Sequence, residues 1–341
     1  MAAWFRFPVL LACALTLWAP CSHAEKLTLM TGGPSKIVYL PVVLAAQLGY
    51  FRDENLDVEI LAQPAGVDTA TELIAGAIQG AVGFYDHTID LQTRGQDVQS
   101  IVVFSRAAGL VVLASAQASR PDQTAPAFQS MADARGRRLG VTGFGASTYF
   151  VTRYLAQRAG VPPNAYSVVA LGSEHGFVDA IGSGKVDAGM IEEPTASELI
   201  QNHGAHVLVD MRNVRDSDAA LGGPYAGACL YVQVKWLDAH RDDAQRLSRA
   251  LVRALNFIAT HSAGQIAAVV PPQYIGVARP VYLRALAAAI PTFTRDGKMP
   301  DGAPANVLSV LAATNRAIDP QHVDLARTYT DTFVDPASAS R

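Results

Sequence analysis

Three clusters of polar residues stand where the chain turns from a strand into a helix. The first lies in GRRLGVTGFGASTYFVTRYLAQRAGV, residues 136–161. A β-rich run, Arg138 to Thr142, meets a turn at Gly143 and Gly145. An amphipathic run follows, with Tyr149, Phe150, Tyr154 and Leu155 at helical spacing, closed by Gly160 and Pro162. That order leaves the first backbone N–H groups of the helix unpaired at its mouth, where the Ser147 and Thr148 hydroxyls could join them in holding an anion or a polar oxygen. Equally, the glycines could serve only the tight turn, with Ser147 as an N-cap. The second cluster is Tyr85-Asp86-His87-Thr88, which follows the apolar run Ala81 to Phe84 and opens a helix. The third is Glu192-Glu193-Pro194, at the end of the apolar run Val186 to Ile191. Acids at a helix start suit its dipole, but one aimed into a cleft would pair with an amine or ring N–H. Which glutamate would do so stays open.

Other chemistries find no support. Gly140, Gly143 and Gly145 do not form G-x-G-x-x-G, and no lysine follows to complete a phosphate loop, so neither a nucleotide nor any other cofactor is expected. His203-Gly204-Ala205-His206 is too sparse and poorly spaced to ligate a metal. No G-x-S-x-G elbow is present, and no catalytic residue is nominated. His87 beside Asp86 suits a hydrogen-bonded structural residue as well as a ligand contact. Tyr39 and Tyr85 could stack on a flat ligand or belong to the core.

The elements that must position these clusters alternate. Lys26 to Met30 reads as a strand ending in Thr31-Gly32-Gly33-Pro34, Tyr39 to Tyr50 as a helix, and Leu56 to Leu61 as a strand. Thr69 to Gln79 is helical, with Ala70, Leu73, Ile74, Ala77 and Ile78 on one face. Val98 to Phe104 and Leu110 to Ala114 are strands. Residues 115–127, rich in Ser, Pro, Gln and Ala, read as a crossing between lobes. A second lobe opens at Ser130, and the loop from Met211 to Gly227 reads as the return crossing. Ala228 to Val234 rejoins the first sheet. Beyond it lie helices at Ala244 to His261, Val281 to Ile290, Ala305 to Arg316 and His322 to Phe333. TELIAGAIQGAVGFYDHT and FVDAIGSGKVDAGMIEEPT repeat one logic: helix, glycine turn, short apolar strand, polar residues, helix. The pattern predicts an α/β fold of two similar lobes with a cleft between them, divided as 25–114, 115–226 and 227–341.

Residues 1–24 read as an export signal: Arg6, an apolar run from Val9 to Trp18, and Ser22-His23-Ala24 before a cleavage site after Ala24. A retained anchor or a lipoprotein on Cys13 or Cys21 is the weaker alternative. Of the three cysteines only Cys229 outlasts cleavage, so no internal disulfide is expected and a large core must stabilise the roughly 317 residues left. The formal charge of -3, with no Lys/Arg cluster, argues against a nucleic-acid partner.

YLPVVLAAQLGYFRDENLDVEI resembles the opening of periplasmic substrate-binding proteins of ABC importers, in the nitrate/sulfonate/taurine and thiamine-pyrimidine branch. MADARGRRLGV resembles that family's entry to the second lobe, GKVDAGMIEEP its Gly-x-x-Asp-Ala…Glu-Pro segment, and TRDGKMPDG and VDLARTYTDTFV its C-terminal signature. The resemblance spans nearly the whole mature chain. It implies a two-lobed, type II-like periplasmic binding fold that closes on a small anionic or zwitterionic molecule (a sulfonate, a taurine-like compound, a pyrimidine or an aromatic acid). That ligand would pass to a membrane permease with its ATPase, the binding protein itself being a periplasmic monomer. By position, the ligand contacts it implies are Thr31, Gly32 and Tyr39; Tyr85, Asp86, His87 and Thr88; Gly145, Ser147 and Thr148; and Glu192, Glu193 and Pro194. Fungal pyrimidine synthases share the lobes, and an enzyme of that kind is the alternative, as is a periplasmic sensor subunit. The cysteine-rich metal motif of the synthases has no counterpart in this chain, which keeps only Cys229.

Overall fold

The computed structural model describes residues 26–118 and 127–334. The expected signal segment, its cleavage site and residues 119–126 lie outside the described residues. Ten strands form two five-stranded sheets. They are β1 (Lys26–Thr31), β2 (Asp57–Ala62), β3 (Gly80–Phe84), β4 (Val98–Val103), β5 (Leu110–Ala114), β6 (Arg138–Val141), β7 (Ser167–Ala170), β8 (Ala188–Glu192), β9 (His206–Met211) and β10 (Ala228–Gln233). The first sheet runs β2-β1-β3-β10-β4 and the second β7-β6-β8-β5-β9. Each joins two parallel pairs to one inserted antiparallel strand, β10 in the first and β5 in the second. Every residue of β3, β5 and β8 is buried, which fits strands covered by helices on both faces. The fold is thus α/β with two lobes.

Three expectations change. Leu110–Ala114, read as the end of the first lobe, pairs with β8 and β9 of the second. The chain therefore crosses at 104–109 rather than at 115–127. An apolar LVVLA run carries no mark of which sheet will take it; long-range pairing decides. The return loop holds a helix, Val214–Leu221, begun by the Asn213 side chain accepting from the Asp216 N–H at 3.0 Å and closed by Gly222 at φ 85°. Finally, 322–333 is no continuous helix. It has only short 3-10 turns at Pro320–His322 and Leu325–Arg327, because Ser100 draws it alongside β4: the Ser100 N–H donates to the Thr328 carbonyl and its carbonyl accepts from Thr330.

The C-terminal third clamps the lobes. Arg241–Thr260 buries Leu247, Leu251, Leu255 and Ile258 and packs on the Leu40–Gln47 helix, while Ala303–Thr314 packs on Ser147–Arg158 of the second lobe. No helix among the described residues is long and apolar enough to cross a membrane.

The two crossings run side by side. The Gly227 N–H donates to the Ser105 carbonyl at 3.1 Å, and the Ser105 hydroxyl accepts from Ala228 N–H and donates to the Ala107 carbonyl. A Cβ on Gly227 would lie 2.3 Å from both the Ala107 oxygen and Ser105 Oγ. Gly227→Ala is therefore expected to destabilise the protein by about 1–3 kcal/mol through overpacking, read as a lower urea midpoint with an unchanged slope.

Candidate functional site

The strand ends that carry the polar clusters meet between the sheets. Ser147 of the second lobe donates its hydroxyl to Asp86 Oδ1 of the first at 2.8 Å. Lys36 Nζ of the first lies 3.1 Å from Glu192 Oε1 of the second. The Ile37 N–H reaches the Glu193 carbonyl at 3.0 Å. Gly143 sits where a Cβ would approach Val67 to 3.3 Å, so the glycine turn closes directly on the first lobe.

Lys36 and Glu192 have side chains only 3% exposed each, and the pair is sealed from water. Glu192 Oε2 nevertheless finds no hydrogen-bond partner, nor does Asp86 Oδ2. Burial raises the Asp86 carboxyl above its ordinary range, opposed by the neighbouring His87 and the Ser147 hydrogen bond. Tyr39, Tyr225 and Tyr231 complete the surroundings, all fully buried. Burial pushes each phenol upward, and the charge of Asp86 adds to all three, that of Glu192 to Tyr39. The hydroxyls of Tyr225 and Tyr231 also lack partners. The His87 ring lies 6.3 Å from that of Tyr231, and a Cβ on Gly66 would meet His87 Nε2 at 3.0 Å and the Tyr39 hydroxyl at 4.0 Å. Buried polar atoms in folded proteins are almost always hydrogen-bonded. Four buried oxygens, contributed by both lobes and set among tyrosine side chains, are left without a hydrogen-bond partner: Asp86 Oδ2, Glu192 Oε2 and the hydroxyls of Tyr225 and Tyr231.

The other nominated residues sit around that centre in supporting roles. Ser147 is not the N-cap: Ala146 holds that position, and the serine hydroxyl crosses to Asp86 instead. Thr148 Oγ1 accepts the Thr142 N–H at 3.0 Å and bonds the Thr142 hydroxyl, fastening the turn in which Gly145 takes φ 82°. The Ser147 hydroxyl is thus engaged with Asp86 across the lobes and that of Thr148 with Thr142. Tyr85 turns away, its OH bonded to the Thr328 hydroxyl and its ring edge-on to Tyr329 at 6.3 Å, while Thr88 bonds the Tyr85 carbonyl. The Thr31 hydroxyl donates within its own turn, and Gly32 allows close packing on Gly66, whose N would lie 2.6 Å from an added Cβ. Glu193 is held by Arg212 at 2.7 Å and by the Ser197 N–H and hydroxyl at 3.0 Å each, at the start of the helix that follows the cis Pro194. Of the two acids, Glu192 faces the interlobe site and Glu193 serves the loop. No local pattern in the sequence singles out Lys36, Tyr225 or Tyr231. Only the turn signal Gly32-Gly33-Pro34 ahead of Lys36 hinted at any of them.

Among the described residues no group of three or more His, Cys, Asp or Glu is placed to hold a metal. Cys229 is buried, and its thiol is pushed up to about 12 by that burial.

Comparison with known proteins follows the same lines. A protein of Bordetella bronchiseptica RB50 has a solved structure that superposes with a TM-score of 0.85 at 31% identity, covering 92% of this chain and 96% of that one. The alkanesulfonate-binding protein of Xanthomonas axonopodis pv. citri, solved with MOPS bound, superposes at 0.70 with 17% identity, covering 91% and 99%; at that identity the likeness speaks for the fold. Among curated proteins, the 4-amino-5-hydroxymethyl-2-methylpyrimidine phosphate synthase of Legionella pneumophila is 28% identical over 176 residues, 50% of this chain. This chain spans only about half (51%) of that relative's length. The family model described as NMT1/THI5 like matches residues 36–264, well over half the chain. With its two lobes and its interlobe site, this chain belongs to the NMT1/THI5-like family.

Proposed function

We propose that this protein is the exported solute-binding component of an ABC importer, closing its lobes on a flat, amine-bearing heteroaromatic of the aminopyrimidine type. The observation that carries the reading is the pair Asp86 and Glu192: opposite lobes each present a buried carboxylate oxygen without a partner. Such oxygens call for N–H donors. A nitrate or sulfonate would need free cations or N–H groups, and Lys36, beside the site, is already paired with Glu192. Tyr39, Tyr225 and Tyr231 suit a planar ring. A ligand bridging both acids has more contacts in the closed state and so favours closure. Delivery would be to a membrane permease and its ATPase, from a periplasmic monomer.

The synthase names of curated relatives favour a second reading, an enzyme acting on the same chemical class. A single buried cysteine with a raised thiol offers little for nucleophilic or metal chemistry at this site. One experiment separates the readings. The mature chain is titrated with 4-amino-5-hydroxymethyl-2-methylpyrimidine, taurine, an alkanesulfonate and nitrate, and bound material is recovered for mass spectrometry. The pyrimidine is expected to bind one to one and return unchanged, and at a thousandfold excess over Kd to stabilise the fold by about 4 kcal/mol. Binding of sulfonate or nitrate instead would sink the aminopyrimidine reading. Formation of 4-amino-5-hydroxymethyl-2-methylpyrimidine phosphate by the purified protein where none was added would move the protein to the enzymes.

A further inference from the structure

We propose that the Tyr225 hydroxyl is a ligand contact carried by the return crossing itself, so that the hinge senses an occupied cleft directly. The inference rests on the solute-binding reading above and adds a residue and a coupling to it. Tyr225 lies at the end of the segment joining β9 to β10, two residues before Gly227. Gly227 is fastened on both sides: its N–H to the Ser105 carbonyl of the other crossing, and its carbonyl to the Tyr85 N–H beside Asp86 at 3.0 Å. A displacement of the Tyr225 ring is thereby passed to both crossings at once.

Two structural observations direct the hydroxyl toward the Asp86 side of the interlobe region: it is buried without a partner, and its crossing is bonded through Gly227 to the Tyr85 N–H next to Asp86. The side chain is 0% exposed, yet its OH has no hydrogen-bond partner. Buried tyrosine hydroxyls ordinarily find one. Asp86 carries an orphaned oxygen of its own, and its charge adds to the burial that raises the Tyr225 phenol. Burial keeps the phenol protonated and able to donate. Asp86 and Glu192 supply acceptors and Tyr225 supplies a donor. That set matches a ring nitrogen adjoining an amino group, which offers an acceptor and an N–H on one edge. Tyr231 has the same orphaned OH but sits within β10, over Gly83 and against His87, where it forms part of a wall rather than of a crossing.

The test is Tyr225→Phe in the full mature chain, which keeps the ring and removes only the oxygen. Two quantities are read: the melting temperature without ligand, and the Kd for 4-amino-5-hydroxymethyl-2-methylpyrimidine. A hydroxyl serving the fold would be missed, and the ligand-free melting temperature would fall by several degrees; that outcome overturns the proposal. A ligand-facing hydroxyl is a buried group relieved of desolvation, so the ligand-free protein should melt unchanged or higher while Kd rises about five- to tenfold. An unchanged Kd also overturns it. Should the wild type bind taurine, an alkanesulfonate or nitrate instead of the pyrimidine, the aminopyrimidine reading falls, and the same five- to tenfold rise in Kd for that ligand in Tyr225→Phe supports the hydroxyl contact.

Discussion

Lys36→Met is expected to lower stability by about 3–5 kcal/mol, among the largest effects of any single substitution in this protein. The ammonium lies in a side chain 3% exposed and meets Glu192 across the lobes at 3.1 Å. Removing it strands the Glu192 carboxylate, one of whose oxygens already lacks a partner, in a place water does not reach. Removing both partners should cost far less: in Lys36→Met with Glu192→Leu, neither charge remains to be buried. Urea denaturation of the two single variants and the double variant closes a mutant cycle, and a strongly favourable coupling energy is expected. A loss for Lys36→Met no greater than that of an exposed ion pair, below about 1 kcal/mol, would mean that the pair does not span the lobes in the ligand-free protein. Glu192→Gln keeps the shape but removes the charge, and it should weaken amine-bearing ligands more than any without an amine.

Asp86→Asn should act in the opposite sense on stability and more severely on binding. Because burial raises the Asp86 carboxyl in the folded state, only at pH values between the ordinary and the elevated one does the native protein hold a proton there that the unfolded chain has released. The sign follows. The wild type gains from this group fully below the ordinary carboxylate range near pH 4, and loses that gain as pH rises through the elevated folded value. Asparagine carries no such titration. Asp86→Asn should therefore be more stable than wild type at pH 7, the advantage shrinking toward pH 3, with Ser147 still able to donate to the amide oxygen. Binding should suffer: a hydrogen bond to a charged acceptor contributes about 1.5–3 kcal/mol, so affinity for an aminopyrimidine should fall by roughly 10- to 150-fold. Paired denaturation curves at pH 3 and pH 7, with titration of the ligand at pH 7, give both readings. A variant less stable than wild type at pH 7 would make Asp86 a structural acid.

Lys36→Met, Asp86→Asn and Tyr225→Phe draw on different amounts of sequence information. Asp86 was visible as part of a polar tetrad directly after an apolar strand, and Glu192 as one of two acids in the corresponding place of the second lobe. Glu192 is the last residue of β8 and Glu193 the first of the turn that follows. Adjacency in the sequence does not say where either points: Arg212, nineteen residues further on, captures Glu193 and leaves Glu192 to Lys36. Ser147 shows the same limit. Its place at a helix mouth was legible, whereas its partner is 61 residues away.

Local order determined the alternation of strand and helix, the repeated helix–strand–polar logic of the lobes, and the positions of the polar clusters at strand ends. Those features depend on periodicities of two and 3.6 residues and on turn residues, all contained within a dozen positions. Tertiary structure decided the rest: that Leu110–Ala114 belongs to the second sheet, that 322–333 lies along β4 instead of coiling, that Lys36 closes on Glu192, and that the crossing carrying Tyr225 is bonded to Tyr85 beside Asp86. Each depends on pairing between residues far apart in the chain. A uniformly apolar strand, a lone lysine or a tyrosine in a crossing carries no local signal of the partner that folding will bring to it.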